Sequence, residues 1–329
     1  MPMFIFISGF FYTTNNLKDW KKYIWHKVQK LLLPFLGLNV LGVLITYIFY
    51  MIYGVKWNGI ILQKTFLRDL FVYGTVVDIV SPGWFIVILF EVILTYTVIR
   101  LFLKNIWNDK IMLVVLGMGA VFSIYFSRTG QMVHPLNVLW AKILFFLYFF
   151  HVGYVFKKYS EKIKESQYLN YYLTVILLSI FINLGILKYY SLDDMRYVSL
   201  AFFSTFQTDN YLLPIITAMS GILFYWGICG IISPVFGNSK FVNYISSNTI
   251  YILSFHLLCF NLINLFLVEL KGIKPLLFLE SAWFVYDDGA VVRIIYMIGG
   301  VLGAILIKNG KEKCVCVLHY IKMRFNNVF

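Results

Sequence analysis

Residues 83–103 read GWFIVILFEVILTYTVIRLFL. A helix that crosses a bilayer needs about 20 mostly apolar residues, and this stretch supplies them. One carboxylate, Glu91, interrupts the run well before its basic end at Arg100. Runs of the same kind recur near 31–53, 111–127, 136–156, 168–187, 211–233, 248–270 and 291–308. The opening residues 1–12, MPMFIFISGFFY, form a partial further segment. Turn-forming and charged stretches separate the runs, among them SRTGQMVHP at 127–135 and KKYSEKIKES at 157–166. The pattern predicts an all-α, polytopic transmembrane helix bundle of about nine helices. It forms one membrane domain over residues 1–308, followed by a basic tail at 309–329 too poor in apolar residues to span.

Composition agrees with this reading along the whole chain. Of 329 residues, 60% are hydrophobic and 13% charged, against roughly 45–50% and about 25% in soluble domains. Mean hydropathy is +0.79. Residues 1–12 lack the basic start and small-residue cleavage site of a secretory signal. The four cysteines, at 229, 259, 314 and 316, follow no disulfide, redox or metal spacing. The five histidines are scattered, so no metal is expected.

The net charge of +13 is a topology signal. With the 13–30 loop in the cytoplasm and the spans alternating, 18 of the 28 Lys and Arg residues fall on the cytoplasmic side and 9 on the other, with Lys142 inside a span. That asymmetry predicts a multi-pass cell-membrane protein with a cytoplasmic C-terminal tail. Membrane lipid is its surround, and no nucleic-acid partner is expected, because the basic residues sit in loops between spans.

Ionisable groups inside spans are costly and usually face a cavity or a partner. Glu91, Lys142, His151 and His256 are such groups. Glu91 and Lys142 suit either a functional site or a mutual ion pair. His151 lies nine residues after Lys142, on the opposite helical face, and suits a structural hydrogen bond. His256 heads a polar stripe with Thr249 and Cys259. It suits a general base or proton relay, because imidazole titrates near neutral pH, or a structural hydrogen bond. Lys27 and Lys30, three residues apart, share a helical face; they suit phosphate contacts or plain membrane anchoring. Ser8-Gly9 allows either a helix break lining a cavity or close helix packing.

Several of these stretches carry a resemblance. MPMFIFISGFF at 1–11 is similar to the PLFFFISGF stretch that follows the first helix of the acyltransferase 3 family, integral-membrane enzymes that modify cell-surface sugars. YIWHKVQKLLLPFL at 23–36 resembles the family's cytosolic RxxR motif before LLxPY, with Lys27 and Lys30 in place of the arginines. SPGWFIVILFE at 81–91 and SSNTIYILSFHLL at 246–258 resemble two further spans, the second with a late histidine matching His256. The resemblance implies a fold of about ten helices and transfer of an acyl group from cytosolic acyl-CoA to a hydroxyl of an extracytoplasmic polysaccharide or glycolipid. The acyl group is expected to be acetyl. It further implies donor contacts at Lys27 and Lys30 and a catalytic role for His256; Glu91, as an ionisable group inside a span, is the other expected catalytic residue.

The family also carries an Arg and a His on its first helix, ahead of the 1–11 stretch. An upstream helix is therefore expected, or else an inactive truncated homologue. A transporter of polysaccharide or lipid precursors is the alternative from a different class, since it too needs polar groups within spans. Acceptor specificity is expected in the outer loops 54–82, 188–210 and 271–290.

Overall fold

The computed structural model describes residues 1–52, 65–77, 80, 83–103, 108–128, 135–160, 168–189, 211–271 and 289–326. Among them the chain is helix and connecting turn, and no strand occurs. Lipid offers no hydrogen bonds, so each spanning segment satisfies its own backbone by coiling into a helix. The α-helices are α1 (Pro2–Phe10), α2 (Trp20–Lys27), α3 (Leu33–Ile52), α4 (Trp84–Phe102), α5 (Asp109–Arg128), α6 (Pro135–Ser160), α7 (Tyr168–Tyr189), α8 (Leu213–Phe236), α9 (Lys240–Ser247), α10 (Thr249–Lys271) and α11 (Ala290–Asn326). A π-helix at Val28–Leu32 joins α2 to α3, and another occupies Asp69–Tyr73.

Eight helices among the described residues are long and apolar enough to cross a membrane. They coincide with the eight runs expected from the sequence, so the chain is an all-α, polytopic membrane protein. Helix α1 has nine residues and rises only about 13 Å, too little for a hydrocarbon core of about 30 Å. Helix α11 runs on for 37 residues. The basic 309–329 segment thus begins as a continuation of the last spanning helix, without a break at 308.

The chain divides into two compact units. The first comprises residues 1–34, 71–74 and 85–239, and the second residues 35–70, 75–84 and 240–329.

The first unit is built around α6, most of whose length is buried, including Lys142, Phe146, Phe150, His151 and Gly153, while a stripe through Leu136, Trp140 and Tyr159 stays exposed. Helices α1 and α5 pack directly on it. Gly9 and Gly153 explain how α1 gets so close. A Cβ on Gly9 would lie 1.9 Å from the Phe150 carbonyl oxygen, and one on Gly153 would lie 2.0 Å from the Phe6 carbonyl oxygen. The two backbones touch, as small residues permit in membranes, where dispersion contact replaces the hydrophobic drive. Gly9 lies within continuous helix, and the Ser8 hydroxyl donates to the Phe4 carbonyl at 2.9 Å. Ser8-Gly9 therefore serves packing and makes no break. Trp226 of α8 completes the core, with its ring 4.9 Å from Phe10 and 5.2 Å from Phe156.

In the second unit α10 packs on α11. Gly300 and Gly303 of α11 lie against His256, Phe260 and Cys259. The buried Tyr296 hydroxyl donates to the Asn264 side-chain oxygen across the same seam. Asn39 of α3 is fully buried. It donates to the Phe35 carbonyl at 3.1 Å and accepts the Val76 N–H at 3.1 Å, which pins the 75–77 turn to α3.

Candidate active site

Glu91 of α4 and Lys142 of α6 come together in the first unit. Each lies seven residues past the first residue of its helix, Trp84 and Pro135, about 10 Å along each axis, and each charge acts on the other. Lys142 is 8% exposed. Its Nζ donates to the Val72 carbonyl at 3.0 Å and lies 5.9 Å from the centroid of the Tyr73 ring. Glu91 Oε2 is buried with no hydrogen-bond partner among the described residues, and Lys142 is the charge that acts on it. An orphaned polar atom in such a place costs several kcal/mol by order of magnitude. It marks a group retained for chemistry or for a bound partner.

A second polar centre lies where α4 and α6 end and α5 begins. His151 is fully buried. Its Nε2 lies 2.9 Å from the Asp109 carbonyl oxygen, and its Nδ1 lies 3.0 Å from the Tyr96 hydroxyl. A carbonyl only accepts, so Nε2 carries the proton and donates it. Arg100 donates to the same Tyr96 oxygen from Nε at 3.1 Å and from Nη2 at 3.0 Å. Both lone pairs of that oxygen are then taken, so the hydroxyl proton goes to His151 Nδ1. The Asp109 carboxylate closes the network, bridging Arg100 Nη2 at 2.7 Å and Lys158 Nζ at 2.5 Å. Sequence reasoning placed His151 as a structural hydrogen-bonder, and its two bonds have that form. It missed Tyr96 and Asp109 as site residues and read Arg100 and Lys158 only as topology charges. No linear spacing signals the set, because three helices supply it.

Lys27 directly precedes the π-helix at Val28–Leu32, and Lys30 lies within it. Their charges remain close enough for Lys30 to act on Lys27. Lys27 Nζ stands 5.3 Å from the Tyr23 ring centroid, within cation–π range. The Tyr23 ring lies 6.0 Å from Tyr12, and Tyr12 lies 5.1 Å from Tyr96. A run of tyrosines therefore connects Lys27 with the Arg100 network inside the first unit.

His256 belongs to the second unit. Its Nδ1 faces the carbonyls of Ile252 at 2.9 Å and Leu253 at 3.0 Å on its own helix. Because carbonyls only accept, Nδ1 holds the proton, and Nε2 keeps a lone pair with no hydrogen-bond partner among the described residues. This is the tautomer a general base needs. Of the stripe read from the sequence, Cys259 is buried against Gly303, and the Thr249 hydroxyl donates to the Ser246 carbonyl at 2.7 Å. Both are engaged in packing and local bonding. Replacing His256 by Gln is expected to leave the melting temperature in place and to lower at least tenfold any activity in which Nε2 accepts a proton. Full activity of the variant would assign His256 to the seam alone.

The expected acceptor loops, 54–82, 188–210 and 271–290, fall largely outside the described residues.

The family of acyltransferase domains termed acyltransferase 3 matches residues 1–308. The chain belongs to that family and is a multi-pass membrane acyltransferase. No curated protein and no solved structure matches it. The family assignment favours covalent chemistry over transport.

Proposed function

We propose that the protein moves an acyl group, acetyl in the simplest case, from cytosolic acyl-CoA to a hydroxyl of an extracytoplasmic polysaccharide or glycolipid. One observation carries this reading. The same two helices, α4 and α6, hold polar centres at two depths: on α4, Glu91 and Arg100 are nine residues apart, about 13 Å of helical rise. The excess of basic loop residues on one side supports an orientation with the Arg100 end toward the cytoplasm and the donor, and the Glu91 end toward the acceptor.

In the reaction the acceptor oxygen attacks the thioester carbonyl carbon. The C–S bond breaks, an ester forms, and the coenzyme leaves as thiolate, which takes a proton from solvent. Glu91 accepts the hydroxyl proton, and Lys142 supplies positive charge for the oxygen that becomes anionic during attack. His256, in the second unit, is a separate candidate for accepting a proton through Nε2. Lys27 and Lys30 hold donor phosphate at the cytoplasmic edge by charge-assisted contacts. As lysines they act as point charges, without the planar fork of arginine.

The test is transfer of label from radiolabelled acetyl-CoA to an isolated surface-glycan fraction by the protein in lipid nanodiscs. Absence of any coenzyme-dependent transfer counts against the reading. With transfer established, joint Lys27→Ala and Lys30→Ala substitution is expected to raise KM for acetyl-CoA about tenfold, with kcat and folded yield retained. A loss confined to folded yield would assign the pair to membrane anchoring.

A further inference from the structure

The Arg100–Asp109–Lys158 cluster has a shape that neither helix packing nor the Glu91 centre explains. Two cations from two helices converge on one carboxylate, and each takes a different oxygen, at 2.7 and 2.5 Å. Arg100 is held from behind by the Tyr96 hydroxyl. It also lies 4.7 Å from the Tyr154 ring, and Lys158 lies 4.8 Å from the same ring. Arg100 Nη1 has no hydrogen-bond partner among the described residues. The side chains of Arg100, Asp109 and Lys158 are 13%, 24% and 52% exposed, so the cluster opens to its surroundings. With His151 bound as a neutral ring, two positive charges meet one negative charge.

We propose that Arg100 and Lys158 form a phosphate-binding site and that the Asp109 carboxylate occupies it until a phosphate arrives. A phosphate presents two oxygens at nearly the separation of a carboxylate's, carries closer to two negative charges, and has a third oxygen for Arg100 Nη1. Exchange with Asp109 therefore satisfies both cations and the idle guanidinium nitrogen. Tyr96 is a positioning residue: through its oxygen it fixes the plane of the guanidinium, and His151 orients Tyr96. The source of the phosphate rests on the acyl-CoA reading above, on which it is the donor's monoester phosphate; a lipid headgroup that ends in a phosphate monoester offers the same chemistry.

The experiment measures binding of inorganic pyrophosphate and of acetyl-CoA to the whole chain in nanodiscs of zwitterionic lipid. Asp109→Asn, which removes the internal competitor, is expected to tighten pyrophosphate about fivefold or more. Arg100→Gln with Lys158→Gln is expected to weaken it about tenfold or more. Tyr96→Phe is expected to lower the melting temperature, because three hydrogen bonds go with the hydroxyl, and to weaken pyrophosphate about threefold in the protein that remains folded, a readout that a merely structural role would not move. In discs containing phospholipid with such a headgroup, loss of pyrophosphate binding identifies the lipid headgroup as the natural source, and its persistence points to a soluble ligand.

A purely structural ion pair predicts a lower melting temperature for Asp109→Asn with no gain in binding, and that result overturns the proposal. So does wild-type protein that binds no pyrophosphate, or equal binding by the Arg100→Gln, Lys158→Gln double variant. Pyrophosphate binding that follows these variants while acetyl-CoA does not bind at all keeps the site and rejects the donor reading.

Discussion

Glu91→Gln is expected to lower acyl transfer at least about 100-fold while the protein folds, inserts and binds the donor as before. A positioned general base contributes 10²–10⁴-fold as a rule, and the amide keeps the volume of the carboxyl group while losing its ability to take the proton. The orphaned Oε2 makes this test clean, because no hydrogen bond from a described residue is lost there on substitution. The discriminating measurement is kcat at saturating acetyl-CoA. Unchanged kcat would reduce Glu91 and Lys142 to a structural charge pair. Lys142→Met, by contrast, leaves the buried carboxylate without its cation and removes the donor to the Val72 carbonyl. It is expected to lower folded yield as well as rate.

The second large effect is on folding. Gly153→Ala is expected to remove at least about 3 kcal/mol of stability, the upper end for overpacking. The added carbon would sit 2.0 Å from the Phe6 carbonyl oxygen, and the obstacle is backbone that no rotamer change can clear. Helix α1 has to move off α6, and the Phe10–Trp226 contact goes with it. Gly185→Ala on α7 is the control, because a methyl group there meets nothing within 4 Å. It is expected to gain about 0.5–1 kcal/mol from helix propensity. Thermal unfolding of the two variants in the same detergent reads the contrast. Equal melting temperatures would show that α1 does not rest on α6 as described.

The spans were legible because the bilayer imposes one rule on every crossing segment, a run of about 20 apolar residues. Glu91 and Lys142 were legible for the same reason, as charges stand out in an apolar run. Their meeting was less so, since it depends on how α4 and α6 lie in the fold. The Arg100 network was not legible, because its members sit at helix ends where basic residues are common on topological grounds alone. Helical-wheel reasoning puts Lys142 and His151 on opposite faces of α6, which suggests that one faces lipid. Both are buried, because neighbouring segments cover both of those faces, and the exposed stripe runs elsewhere, through Leu136, Trp140 and Tyr159. The turn between Lys27 and Lys30 was read as α-helical, whereas a π-helix widens it, and no local residue pattern announces that.

The closed pattern of bonds around His151 has a consequence for the membrane itself. A protein that handles polar groups across a bilayer risks becoming a leak for hydrogen ions. Conduction along a chain of side chains requires hydroxyls and imidazoles that can pass a proton on and then turn to receive the next. Here the His151 ring is tied at both nitrogens, and the Tyr96 hydroxyl is tied through its hydrogen and both lone pairs. Neither can reorient without breaking two or more bonds at once. While these bonds are in place, neither group can carry a hydrogen ion onward by turning.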